Sequence, residues 1–143
     1  MKHNTDTLWV AIAGGSVSTA AYLFGGIDNL FIAFGILIIL DYITGLSVAY
    51  TTKTVSSKTG FKGAVKKGAM FSLVIAATQL DSVLGNASPF IRYAMLMYLI
   101  GIEGISLIEN LGRLGIPVPK FLSDRFIQLK NDNESLEKEK PAE

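Results

Sequence analysis

Cysteine is absent from the chain, and histidine occurs once, at His3. No disulfide, thiol nucleophile or cysteine-based metal cluster is available, and one histidine near the N-terminus reads as an exposed polar residue rather than a ligand. A glycine-rich phosphate loop is missing, as are metal-ligand spacing and any nucleophile–base pair. Nothing therefore points to an enzyme, a metal site or a cofactor. Charge of one sign is also missing: 13 Lys and Arg stand against 12 Asp and Glu, for a net charge of +1. That balance removes the bulk electrostatic case for binding nucleic acid.

What the chain has in excess is apolar length. Half of its 143 residues are hydrophobic, and mean hydropathy is +0.41. The stretch 30–50, LFIAFGILIILDYITGLSVAY, holds 12 Leu, Ile, Phe or Val residues and a single charge, Asp41. As a helix it is roughly 30 Å long, the thickness of a bilayer's hydrocarbon core. Its apolar residues favour insertion by about 4–7 kcal/mol, against ~2.5–3.5 kcal/mol for one central carboxylate. Insertion wins and carries Asp41 into the membrane. The pattern predicts an all-α polytopic membrane protein with four transmembrane helices, at 8–24, 30–50, 68–84 and 90–108. The first is weakly apolar, interrupted by Gly14 and Gly15, and reads as a retained span rather than a cleavable signal peptide.

The turns at 25–29 and 85–89 carry no Lys or Arg, whereas the connection 51–67 carries five lysines and the segment after Ile108 carries six basic residues. The positive-inside rule then places both termini and the long loop in the cytoplasm, N-in and C-in. The transmembrane domain covers 1–117 and ends at the helix-breaking Gly115-Ile116-Pro117-Val118-Pro119. Residues 118–130 alternate apolar and basic side chains at helical spacing and predict a short interfacial amphipathic helix on the inner membrane surface. Residues 131–143 predict a disordered charged cytoplasmic tail.

Small residues matter in lipid because helices there gain little by burying apolar surface against each other. Gly14, Gly15 and Ser18 in the first span and Gly68, Ser72 and Ala76 in the third are candidates for helix packing; Gly101 and Gly104 mark the fourth. Asp41 and Glu103 lie at nearly the same depth on spans two and four, with Thr44, Gly45, Ser106 and Asn110 within two turns. These six are the candidates for assembly or gating. Asp81 and Arg92 flank the second short turn and predict an ion pair. Two acids at one level can be relieved by a lysine reaching in from Lys66 or Lys67, by protonation, or by water. With those lysines starting two or three turns away, the reading favours carboxyls hydrogen-bonded to Thr44 or Ser106 in the protomer and ionised in a wet lumen.

Four motifs occur in order: Asp41-Tyr42-Ile43-Thr44-Gly45; Ser57-Lys58-Thr59-Gly60-Phe61-Lys62-Gly63 followed by Lys66-Lys67; Glu103-Gly104-Ile105-Ser106-Leu107-Ile108-Glu109-Asn110; and Gly115-Ile116-Pro117-Val118-Pro119. Together, from about Phe34 to Leu122, the chain resembles the phage lysis and toxin-secretion holins of Gram-positive bacteria and their phages. That resemblance implies a small protein of the host cytoplasmic membrane that assembles with itself into holes. The holes release an endolysin or a toxin, as cargo that is not specifically bound, and lyse the cell at a set time. Its partners would be other copies of itself and the lipid bilayer. Two alternatives stand beside it: a selective ion channel or proton-coupled transporter subunit using Asp41 and Glu103, and a non-conducting membrane scaffold that docks a cytoplasmic partner through residues 118–143.

Overall fold

The computed structural model describes residues 3–86 and 88–138. Lys2, Ala87 of the second short turn and residues 139–143 of the expected tail lie outside the described residues, as does the side chain of His3. The chain is all-helical: α1 (His3–Phe24), α2 (Asn29–Thr51), α3 (Ser57–Val83), α4 (Phe90–Arg113) and α5 (Lys120–Lys138).

The helix boundaries follow local chemistry. α2 starts where Asp28 accepts a hydrogen bond from the Phe31 backbone N–H at 2.9 Å, a side-chain N-cap. The turn before it needs glycine: Gly25 has φ +71°, and a Cβ there would sit 2.9 Å from both Arg92 Cδ and Thr78 Cγ2. α4 closes on Gly115 at φ +77°, and the two prolines that follow cannot continue it.

α4 is the central helix, packing against α2, α3 and α5. Its buried residues Arg92, Leu96, Leu99 and Glu103 recur at intervals of three and four, one stripe of a helix facing its neighbours. Phe34 and Ile38 of α2, Met70 and Val74 of α3, and Leu96, Leu99 and Ile100 of α4 form the core. Phe24, Phe31, Phe34 and Phe71 close its α1 end with ring centroids 4.8–6.1 Å apart. α1 joins the bundle only near its C-terminal end: residues 6–19 are all exposed, Trp9 and Val10 among them.

Among the described residues, three helices are long and apolar enough to cross a membrane: Asp6–Phe24, Asn29–Thr51 and Phe90–Arg113. The expected third span differs because its apolar residues belong to a longer helix with a basic first half. Lys58, Lys62, Lys66 and Lys67 precede Gly68 in α3, which leaves about 16 apolar-rich residues, some 24 Å of helix. α5 runs to Lys138. The helix therefore continues through residues 131–138, within the tail that the sequence predicts to be disordered.

Candidate functional site

Three charged side chains from three helices meet between α2, α3 and α4. Lys67 Nζ lies 2.8 Å from Asp41 Oδ2 and also contacts Glu103 Oε2. All three side chains are nearly enclosed, with 13% of Lys67, 11% of Asp41 and 3% of Glu103 exposed. Asn110 completes the set by donating from Nδ2 to Asp41 Oδ1 at 2.8 Å. Gly45 faces the same amide, with a Cβ position 3.4 Å from Asn110 Nδ2.

The register explains the meeting. Asp41 is seven residues past the core residue Phe34, and Glu103 is seven past Leu96, so each continues its helix's buried stripe. Lys67 stands one turn before Met70 on the buried stripe of α3. The acids thus receive a lysine. The expected protonated pairing with Thr44 or Ser106 is not what the side chains do: the Thr44 hydroxyl donates to the Leu40 carbonyl at 2.8 Å, and Ser106 lines the cleft beside the cluster. Sequence reasoning counted the lysines from the membrane surface. In the folded chain roughly ten residues of basic helix, about 15 Å, precede Lys67 and carry it to the level of the acids.

The cluster sets one amino group against two carboxyl groups. Beside it opens a cleft of about 290 Å³, lined by Asp41, Gly45, Ser106 and Asn110 on one side and by Thr59, Gly63 and Lys67 of α3 on another. The described residues hold no group of three or more His, Cys, Asp or Glu with metal-binding geometry.

A second buried cluster corrects the expected Asp81–Arg92 ion pair. Arg92 is wholly buried, and its guanidinium turns to the α1–α2 turn. Nη1 contacts Asp28 Oδ2 at 2.6 Å, Nε donates to the Phe24 carbonyl at 2.5 Å, and Nη2 donates to the Gly26 carbonyl at 3.0 Å. Asp81 instead caps α4 from another helix. It accepts the backbone N–H groups of Arg92 at 2.8 Å and Ile91 at 3.1 Å, plus the Asn86 amide at 2.8 Å. Pro89 at the N-cap has no side-chain acceptor to offer. Asp28, read from sequence only as a turn residue, is therefore a functional part of this clasp. Its carboxyl is held below the usual range chiefly by the Arg92 hydrogen bond, which with the backbone N–H groups of Phe31 and Leu30 and the Arg92 charge outweighs the opposing effect of burial.

The expected helix-packing residues are not enclosed within the protomer. Gly14, Gly15 and Gly68 have open space where a Cβ would go, and Ser18, Ser72 and Ala76 are exposed. The enclosed glycines are Gly101 and Gly104, which receive α5.

The charge network joins two candidate membrane spans, α2 and α4, to α3. Residues 18–131 match the model of a bacteriophage holin family, and the chain belongs to that family, whose members permeabilise membranes and are not enzymes. A probable holin of Bacillus phage phi105 is 32% identical over 114 residues, covering 80% of this chain and 83% of the relative. An uncharacterised Clostridium perfringens protein is 35% identical over 112 residues, covering 78% and 83%. An uncharacterised Listeria monocytogenes protein is 40% identical over 106 residues, covering 74% and 75%. No solved structure matches the chain.

Proposed function

We propose that this protein is a holin of the bacterial cytoplasmic membrane, that copies of it assemble into holes, and that those holes release an endolysin or toxin and lyse the host on schedule. In this reading α1, α2, the apolar half of α3 and α4 cross the membrane, with both termini in the cytoplasm. Family membership supports the role. Of the 13 basic residues, 12 fall on one side of the four spans and the other, Arg92, lies inside a span, which supports the orientation.

The observation that carries the mechanism is the Asp41–Lys67–Glu103 cluster. Ionised groups at bilayer depth are tolerated when paired or wetted. In the single protomer they are paired, across α2, α3 and α4, so the cluster ties three helices together. The same groups become the lining of a wet passage once the helices part. Breaking the cluster without water leaves charges unpartnered in lipid. Parting therefore favours an assembly in which water enters with it, and a lone protomer stays closed. The exposed side chains of α1, Trp9, Val10 and Val17 among them, supply surface on which copies meet.

Inducible expression in bacteria tests the reading, with membrane potential and release of a cytosolic enzyme followed together. Loss of potential with enzyme release is the expected result. Loss of potential alone makes the cluster the site of a selective channel, and neither change makes the protein a scaffold.

A further inference from the structure

α3 has a second face, which the fold leaves open. Its buried residues are Met70, Val74, Ala77, Thr78 and Asp81, and Lys67 turns the same way, toward Asp41 and Glu103. Lys66, next in the chain, is exposed, as are Lys58 and Lys62. These three lysines recur every four residues, so each lies about 40° round the helix and about 6 Å along it from the one before. They form one stripe about 12 Å long. Phe61 and Val65 form the neighbouring stripe and are exposed too. α3 has no acid before Asp81. Among the described residues, no ion pair takes Lys58, Lys62 or Lys66.

Depth gives this stripe its partner. The apolar half of α3, residues 68–83, is about 24 Å long, roughly 6 Å less than the hydrocarbon core it crosses in the reading above. A short span is accommodated by a bilayer that thins around it or by flanking side chains that snorkel. About four residues before Gly68 make up the missing length. Lys66 therefore stands just inside the hydrocarbon edge, with Lys62 and Lys58 successively beyond it. An exposed ammonium at the level of Lys66 must reach back to the inner surface or have an anion brought to it. Phe61 and Val65, beside the lysines, suit the boundary between headgroups and acyl chains, where amphipathic basic helices bind. Three ammonium groups with no acid of α3 to answer them favour a net negative headgroup over a zwitterionic one.

We propose that the Lys58–Lys62–Lys66 face of α3, with Phe61 and Val65, is a binding surface for anionic phospholipid of the inner leaflet. The lipid phosphates are drawn along the stripe toward the level of Lys66, so the leaflet is thinner beside α3 than elsewhere. This inference rests on the membrane orientation in the reading above, not on hole formation, and adds the class of lipid that the protein selects.

Full-length protein is reconstituted in vesicles of mixed phosphatidylcholine and phosphatidylglycerol and extracted in mild detergent, and its retained lipids are counted by native mass spectrometry. Phosphatidylglycerol should be enriched over phosphatidylcholine. The triple change Lys58→Gln, Lys62→Gln, Lys66→Gln should lower that enrichment by about tenfold or more. Removing three exposed basic residues elsewhere, with Arg113→Gln, Lys120→Gln and Arg125→Gln, should leave most of it. Equal losses in the two triple variants would reduce the effect to bulk charge and overturn the proposal. Wild-type protein with no enrichment overturns it without any variant.

A second measurement reads the site itself. The chain has one tryptophan, Trp9, so a Trp9→Phe, Val65→Trp chain carries a single reporter on the α3 face. Phosphatidylglycerol brominated near the top of its acyl chains should quench that tryptophan about twofold more than equally brominated phosphatidylcholine, and the difference should shrink in high salt. Equal quenching by the two lipids overturns the proposal. So does a carbodiimide cross-link from these lysines to a carboxyl group of another copy without lipid preference, which makes the face a contact between copies. Neither lipid measurement requires a hole. Vesicles that keep a trapped dye while phosphatidylglycerol stays enriched overturn hole formation and leave the lipid surface standing.

Discussion

Arg92 and Asp28 stand 64 residues apart in the chain and 2.6 Å apart in space. That one guanidinium also takes two carbonyls at the end of α1 and its turn, so the first short turn is clasped to the start of α4. Arg92→Ala leaves Asp28 and both carbonyls without their donor. It should lower unfolding stability in detergent by about 3–5 kcal/mol, the cost of removing one partner of a buried pair. A double-mutant cycle with Asp28→Ala should show coupling of about 1 kcal/mol or more. Additive losses in that cycle would mean that Asp28 is not the partner.

The clasp also sets a pH dependence. The Asp28 carboxyl titrates below its ordinary value of 3.8 because Arg92 favours its charged form. A depressed carboxylate contributes stability that is complete above the ordinary value and is lost as pH falls through the folded-state value. The melting temperature in detergent should therefore drop on acidification below about 3.8, and Asp28→Asn should flatten that part of the profile. An unchanged profile in Asp28→Asn would remove Asp28 from the acid response.

Lys67 is the sole cation of its cluster. Lys67→Met leaves Asp41 and Glu103 facing each other and should cost about 3–5 kcal/mol, seen as reduced accumulation of the protein. The triple change Lys67→Met, Asp41→Asn, Glu103→Gln removes all three charges and should restore much of the accumulation. Asp41→Asn alone keeps an acceptor for Asn110 and should insert and accumulate yet delay or abolish lysis. Lysis on the wild-type schedule would reduce Asp41 to a structural contact.

Gly14 and Gly15 separate folding from assembly. Neither meets any neighbour in the protomer, so Gly14→Leu and Gly15→Leu should change protomer stability by less than about 0.5 kcal/mol. If copies meet along α1, the same changes should shift the time of lysis at equal protein level. Unchanged timing in both variants would take α1 out of the assembly surface.

The orientation has a direct test. Asn86→Cys, in the turn without basic residues, should react with a membrane-impermeant maleimide from outside before lysis, and Lys58→Cys should not. The opposite pattern overturns the four-span, N-in arrangement.

Much of this protein is settled by composition and order alone. Apolar runs of about 20 residues force helices, because lipid leaves no other way to satisfy a backbone. Glycine and proline mark where the helices stop, and the four motifs point to the family. The depths of Asp41 and Glu103 follow from helical rise. What those acids pair with does not, because pairing depends on how far α3 slides along α2 and α4. That slide is set by Met70 and Val74 fitting against Phe34, Leu96 and Leu99, and it is what brings Lys67 in. Arg92 illustrates the same limit: both Asp28 and Asp81 lie within plausible reach along the sequence. Only the fold turns the guanidinium to Asp28 and the carboxylate of Asp81 to the open end of α4. Tertiary structure likewise decided which glycines are contact points, since Gly14 and Gly101 look alike in a sequence and differ only in whether another helix arrives.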